Sequence, residues 1–206
     1  MRLGIFGGSF DPPHIGHLLA AVDAFESLSL DKLFFVPTSV QPLKTGMTSA
    51  AAHQRLAMVR LLVGADQRFA VDSVEIDRAG LSYTVDTLET FAQRFPNAER
   101  FFLIGEDAMT AFGAWRNPEQ ILRLAKLAIL RRQRAGSGSE SERGRETLGA
   151  AADPDTILPA GTIALPTRLV NVSSTEIRER IRRGRSIHGF VPESVAAFIE
   201  TERLYR

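Results

Sequence analysis

The sequence predicts an α/β fold: a doubly wound, mainly parallel sheet with helices on both faces and a small helical part at the C-terminus. Three observations carry this. Short apolar runs alternate along the chain with stretches of helical periodicity. The apolar runs are continuous rather than alternating, as expected of strands covered on both faces. A chain of 206 residues is long enough for one core of that kind and short for two.

Leu3-Gly4-Ile5-Phe6 is the first strand, followed by a Gly/Pro-rich loop over Gly7–Pro13. Ile15, Leu18, Leu19, Val22 and Phe25 then repeat at helical spacing from His14. Leu33–Val36 is a second strand, stopped by Pro37. A helix is expected from about Ala50 to Val63, with Ser49 as N-cap. Phe69–Ile76 reads as strand. Val85, Leu88, Ala92 and Phe95 mark the next helix, and Phe101–Ile104 a strand buried on both faces, ending at Gly105. Asn117-Pro118 starts a helix, with asparagine as its cap and proline in its first turn. Lys126–Leu130 and Thr162–Leu165 are the last two strands. Ser173-Ser174-Thr175-Glu176 is a capping box for a helix reaching Arg183, where Gly184 stops it. A final helix begins near Pro192.

Gln133–Ala152 breaks the pattern. It is rich in Gly, Ser, Glu and Arg and holds one large apolar residue, Leu148. Such a stretch cannot bury enough to offset its ordering entropy and is expected to be an exposed, mobile insertion. The whole chain, 1–206, is otherwise read as one domain.

Composition excludes several classes. Hydrophobic residues at 44% and charged residues at 24% rule out a disordered chain. No apolar stretch approaches the ~18 residues of a spanning helix, so no membrane partner is expected. A net charge of +1 argues against a general nucleic-acid binder. The absence of cysteine removes disulfide scaffolds, thiolate metal sites and cysteine nucleophiles. The N-terminus lacks the long apolar core of a signal peptide, so a cytoplasmic location is expected. Oligomeric state is open, a homo-oligomer being compatible with the sequence.

The densest chemistry lies in Gly7-Gly8-Ser9-Phe10-Asp11-Pro12-Pro13-His14-Ile15-Gly16-His17. Two glycines directly after a strand allow close approach of backbone to a ligand. His14 and His17, three apart at a helix start, project from one side, where unpaired N–H groups and the dipole favour phosphate. The plainer alternative for the segment taken alone is a Gly-Pro loop with two helix-capping histidines. Metal ligation is disfavoured, because H-x-x-H stands without thiolates or the H-E-x-x-H form. The common nucleotide fingerprints G-x-x-x-x-G-K-[ST] and G-x-G-x-x-G are absent. A second candidate is Ser173–Arg178: three hydroxyls at a helix N-terminus with an arginine fork in the next turn. Its plainer reading is a well-capped helix.

Together the two segments resemble the GGxFDPxHxGH and S-S-T-x-I-R signatures of the HxGH nucleotidyltransferases, a Rossmann-like family. The resemblance spans nearly the whole chain except the insertion. Arg78-Ala79-Gly80-Leu81-Ser82-Tyr83-Thr84-Val85-Asp86-Thr87-Leu88, Ile104-Gly105-Glu106-Asp107 followed by Trp115, and the closing Val191-Pro192 to Leu204-Tyr205 further resemble the bacterial nicotinate-mononucleotide adenylyltransferases. One departure stands out. Where many members carry P-P-H-[KR], this chain has Gln41-Pro42-Leu43-Lys44, with Leu43 in place of the histidine.

The resemblance implies transfer of AMP from ATP to nicotinate mononucleotide, giving deamido-NAD and pyrophosphate, with Mg2+ held by ATP phosphates and by no protein cage. A 5′-phosphate is already ionised and needs no general base, so catalysis is positioning and charge stabilisation. Gly7, Gly8, Ser9 and Phe10 would then lie along the phosphates. His14 and His17 would hold the triphosphate, with His17 at the α-phosphate. Ser173, Ser174, Thr175 and Arg178 would take the β- and γ-phosphates, and Lys44 would neutralise charge from the opposite loop. Gly105 and Asp107 would meet the adenosine ribose. Trp115, the only tryptophan, would offer a flat face to the pyridine ring. Backbone near Thr84 and Arg116 would receive the nicotinate carboxylate. Two readings compete with this one. Pantetheine-phosphate adenylyltransferases are usually shorter and lack the S-Y-T…W pattern. A nucleotide-binding regulator without turnover would not need His14, His17 and Arg178 intact.

Overall fold

A computed structural model describes residues 1–40, 50–133, 159, 161–168 and 170–206. Six strands, β1 (Arg2–Gly8), β2 (Lys32–Pro37), β3 (Phe69–Val71), β4 (Glu99–Gly105), β5 (Lys126–Gln133) and β6 (Ile163–Arg168), form one sheet in the order β3-β2-β1-β4-β5-β6. Every neighbouring pair is parallel. Parallel neighbours require crossovers, and as far as β5 helices supply them: α1 (Ile15–Ser27), α2 (Ala52–Val63), α3 (Val74–Arg78), α4 (Thr84–Arg94), α5 (Glu106–Met109) and α6 (Pro118–Leu124). After β6 come α7 (Ser174–Arg182) and α8 (Glu193–Thr201).

The continuous apolar strands are explained by two cores. Phe101 and Leu103 of β4 face one core, with Ala21 and Ala24 of α1, Met58 and Val59 of α2, Ile177 of α7 and Val195 of α8. Phe102 and Ile104 face the other, with Val85, Leu88 and Phe91 of α4 and Ile121 of α6. Side chains alternate across a strand, so a run apolar at every position is what a sheet covered on both faces needs.

The strand expected over Phe69–Ile76 ends at Val71, and Val74–Arg78 is helix instead. Asp72 turns the chain by accepting the Val74 amide at 3.0 Å, which removes the backbone from the sheet. Helix α2 starts at Ala52 with Ala51 as N-cap, and the expected cap Ser49 lies outside the described residues. Asn117 does occupy the N-cap of α6, but in the left-handed region (φ 50) and without a side-chain cap bond. Ser173 caps α7 as expected, its hydroxyl accepting from the Glu176 amide at 3.1 Å. Most of Gln133–Ala152 lies outside the described residues. No helix among those described is long and apolar enough to cross a membrane.

Candidate active site

Strand order reverses between β1 and β4, and there the loops beyond the two carboxyl ends part to leave a crevice. Two cavities open at this point and share Gly105.

The first, of about 350 Å³, is lined by His14 and His17 on one side and Ser173, Ser174, Thr167 and Arg168 on the other. The two sequence segments singled out above, 156 or more residues apart, thus meet across one space. The capping reading of the histidine segment holds in the structure. His14 is the N-cap of α1, and His17 Nδ1 accepts the His14 backbone amide at 3.2 Å. That bond places the proton of a neutral ring on Nε2, the atom fit to donate to a phosphate oxygen. The two rings pack at a tilt of 36° with centroids 3.8 Å apart. Gly16 between them suits this packing, because a Cβ there would press on the His14 ring at 3.0 Å. Phe10 is buried beneath, its ring edge-on to His17 at 5.0 Å. Phe10 therefore touches the site through the ring it supports.

The Ser173–Arg178 segment braces the loop after β1. Ser174 Oγ donates to the Pro12 carbonyl at 2.8 Å, and Arg178 Nη1 donates to the Asp11 carbonyl at 2.7 Å. Arg178 Nη2 donates to Thr175 Oγ1 at 3.2 Å, and Ser173 and Thr175 are exposed. Arg178 retains further guanidinium donors beyond these bonds. Lys44 and Leu43 lie outside the described residues, as does the Asp107 side chain; Asp107 itself is the second residue of α5, two beyond Gly105.

The second cavity, of about 170 Å³, has room for one substituted six-membered ring. Gly7 and Gly8 of β1 form one wall, Trp115 and Arg116 another, with Tyr83 and Thr84 at the start of α4. Trp115 is half-buried against Phe102 and Phe112 with centroids at 6.1 and 5.5 Å, so it serves the core and the cavity together. The Arg116 guanidinium lies over the Tyr83 ring, 4.7 Å from its centroid. Thr84 is the first residue of α4, where amides lack intrahelical partners and attract an anion.

Sequence reasoning missed four residues here. Arg55, 1% exposed, donates to the carbonyls of Ser9 (2.8 Å), Ser39 (2.9 Å) and Ala50 (3.2 Å). It ties the loop after β1 to the loop after β2. Burial lowers its affinity for a proton, and the nearby Asp11 charge opposes that. Glu75 lies 5% exposed against the second cavity, its Oε1 accepting from Thr87 Oγ1 at 2.7 Å. Burial raises its carboxyl above the usual range. Asp11 and Tyr205 complete the set: Tyr205 Oη donates to Asp11 Oδ1 at 2.7 Å. Arg55 reads in sequence as an ordinary charged position on a helix and Glu75 as one on the expected strand Phe69–Ile76, and no local signal marks them. Asp11 sat inside the recognised motif, and Tyr205 at the end of the recognised tail.

A parallel α/β sheet with two adjoining cavities at its switch point is the frame of a Rossmann-like protein. The cytidylyltransferase-like family model matches residues 5–180. A protein of Gemmatimonas aurantiaca named "probable nicotinate-nucleotide adenylyltransferase" is 46% identical over all of this chain and 93% of its own. One of Thermus thermophilus with the same name is 41% identical over the full length of both. The chain belongs to the cytidylyltransferase-like nucleotidyltransferases, in the nicotinate-nucleotide adenylyltransferase family. Among solved structures, Plasmodium falciparum nicotinic acid mononucleotide adenylyltransferase complexed with NaAD aligns with a TM-score of 0.72 at 18% identity, covering 99% of this chain and 97% of the other. That likeness is one of fold.

Proposed function

We infer that this protein moves AMP from ATP to nicotinate mononucleotide, releasing pyrophosphate and forming the deamido dinucleotide of NAD biosynthesis. The observation that carries this reading is the pair of cavities meeting at Gly105. A triphosphate in the first presents its α-phosphorus toward a mononucleotide whose ring fills the second. The phosphate oxygen of the mononucleotide attacks in line, and pyrophosphate departs past the histidines. Bringing the two together supplies most of the acceleration, and donors aimed at the developing charge supply the rest.

In this reading the Gly7 and Gly8 backbone, Ser9, His14 and His17 face the phosphates. Ser173, Ser174, Thr175 and Arg178 close the far side, and Lys44 adds charge from the loop after β2. Thr84 and Arg116 receive the ring carboxylate over Trp115. Gly105 and Asp107 meet the adenosine ribose. The donor set of imidazole, hydroxyl and guanidinium suits phosphate oxygens rather than a divalent cation. Among the described residues no group of three or more histidine, aspartate or glutamate side chains is placed to hold a metal. Magnesium would accordingly arrive on the ATP phosphates with its own waters, neutralising charge on the leaving pyrophosphate. The chain acts as one domain.

The test is pyrophosphate release from ATP, measured in parallel with nicotinate mononucleotide, nicotinamide mononucleotide and phosphopantetheine. The acid should be strongly preferred. Equal rates with the amide would reject recognition of the carboxylate, and activity only with phosphopantetheine would reject the assignment.

A further inference from the structure

The C-terminal tail packs against the loop that holds the candidate triphosphate site. Tyr205 is 7% exposed and Asp11 2%. The Tyr205 hydroxyl donates to Asp11 Oδ1 at 2.7 Å, and the same oxygen accepts the Ala50 amide at 3.2 Å. Asp11 lies three residues before His14, inside the loop whose carbonyls at Asp11 and Pro12 are held by Arg178 and Ser174. The amide of Ile15, next to His14, is held by the Phe190 carbonyl at 3.0 Å, so the C-terminal part grips this turn at two heights. Ala50 is where the chain returns from the segment carrying Lys44. One carboxylate oxygen therefore joins three parts of the chain: the loop after β1, the start of α2 and the tail.

We propose that Tyr205 is a positioning residue for phosphate binding, its hydroxyl fixing Asp11 and through it the register of the Ser9–His17 turn against α2. The proposal rests on the adenylyl-transfer reading for its consequences in turnover, though not for those in binding. Three features support it. The bond is buried, so water cannot replace the hydroxyl once it is lost. Burial, then the Asp11 charge, push the phenol well above its usual range, so it stays a donor throughout the working pH range. Third, no atom of Tyr205 needs to touch a nucleotide for the effect, because a displacement of about 1 Å at a reacting group can lower a rate by ~100-fold.

The experiment compares the full-length wild type with Tyr205→Phe and with Val195→Ala, a truncation in the buried face of α8 away from the site. Binding of α,β-methylene-ATP and of adenosine is measured by calorimetry, and turnover with nicotinate mononucleotide alongside. Tyr205→Phe should weaken the methylene-ATP complex roughly fivefold or more and lower kcat about tenfold. Adenosine affinity and KM for the mononucleotide should hold within about twofold. Val195→Ala should lose thermal stability and keep all four values. Equal losses for adenosine and methylene-ATP, or a Val195→Ala variant impaired in the same way, would make Tyr205 merely structural and overturn the proposal. If Tyr205→Phe does not fold, Asp11→Asn decides, keeping Oδ1 but weakening it as an acceptor. Selective loss of methylene-ATP binding supports the proposal, and wild-type binding overturns it. A wild type that binds methylene-ATP but turns over none of the acceptors sinks the reaction assignment and leaves the binding comparison standing.

Discussion

At His17, Nδ1 is committed to the fold, and Nε2 is the nitrogen proposed to meet a phosphate. Nδ1 accepts the His14 amide, which keeps the ring from rotating and sets Nε2 as donor. His17→Ala should therefore lower kcat by about 10²–10³, the usual effect of removing one donor to developing charge. Its thermal midpoint should stay within a few degrees, because the lost cap bond contributes only about 1 kcal/mol. Near-wild-type kcat in pyrophosphate release would reject its role. Glu75 makes a different statement. Its carboxyl titrates above its ordinary value near 4.5 because it is buried, partly offset by the Thr87 and Ser82 hydroxyls and Arg78, with Asp86 adding to the rise. A raised folded value means the unfolded chain releases the proton first. No penalty exists below about pH 4.5. Above it the wild type loses stability relative to Glu75→Gln until the folded carboxyl ionises as well. Melting both proteins from pH 4 to 8 should show the glutamine variant gaining as pH rises above about 4.5 and levelling off once the folded carboxyl ionises. A constant difference would mean that burial does not raise the Glu75 carboxyl.

At the scale of elements, what was legible depended on how local the cause was. The runs at Leu33–Val36 and Phe101–Ile104 declared themselves as buried strands because both faces needed apolar cover. Ser173 declared itself as a cap because a hydroxyl three residues before Glu176 satisfies an orphan amide. Phe69–Ile76 misled, since Val71, Val74 and Ile76 look like strand. The turn that ends β3 depends on one Asp72 bond, and the partner strand β2 itself ends at Pro37. Asn117 was placed correctly but its mechanism was not. A left-handed backbone begins α6 there, with no side-chain bond, and composition cannot tell a capping side chain from a residue chosen for its tolerance of positive φ.

At the scale of the molecule, the two cavities share one glycine, so a dinucleotide spanning both makes the contacts of two ligands with one loss of translational freedom. Deamido-NAD should therefore raise the thermal midpoint more than either methylene-ATP or nicotinate mononucleotide at the same concentration. A shift no larger than that of the better half would mean the cavities are not used together. The sequence alone determined the alternation of strands and helices, both signature segments and the family, because periodicity, capping and loop chemistry are written in neighbouring residues. The tertiary structure decided that His14 and Ser174 share a cavity, that Arg55 bridges the loops after β1 and β2, and that Tyr205 holds Asp11. Those contacts join residues 16 to 194 positions apart, and only the closing of the sheet and its packed helices brings them within hydrogen-bond reach.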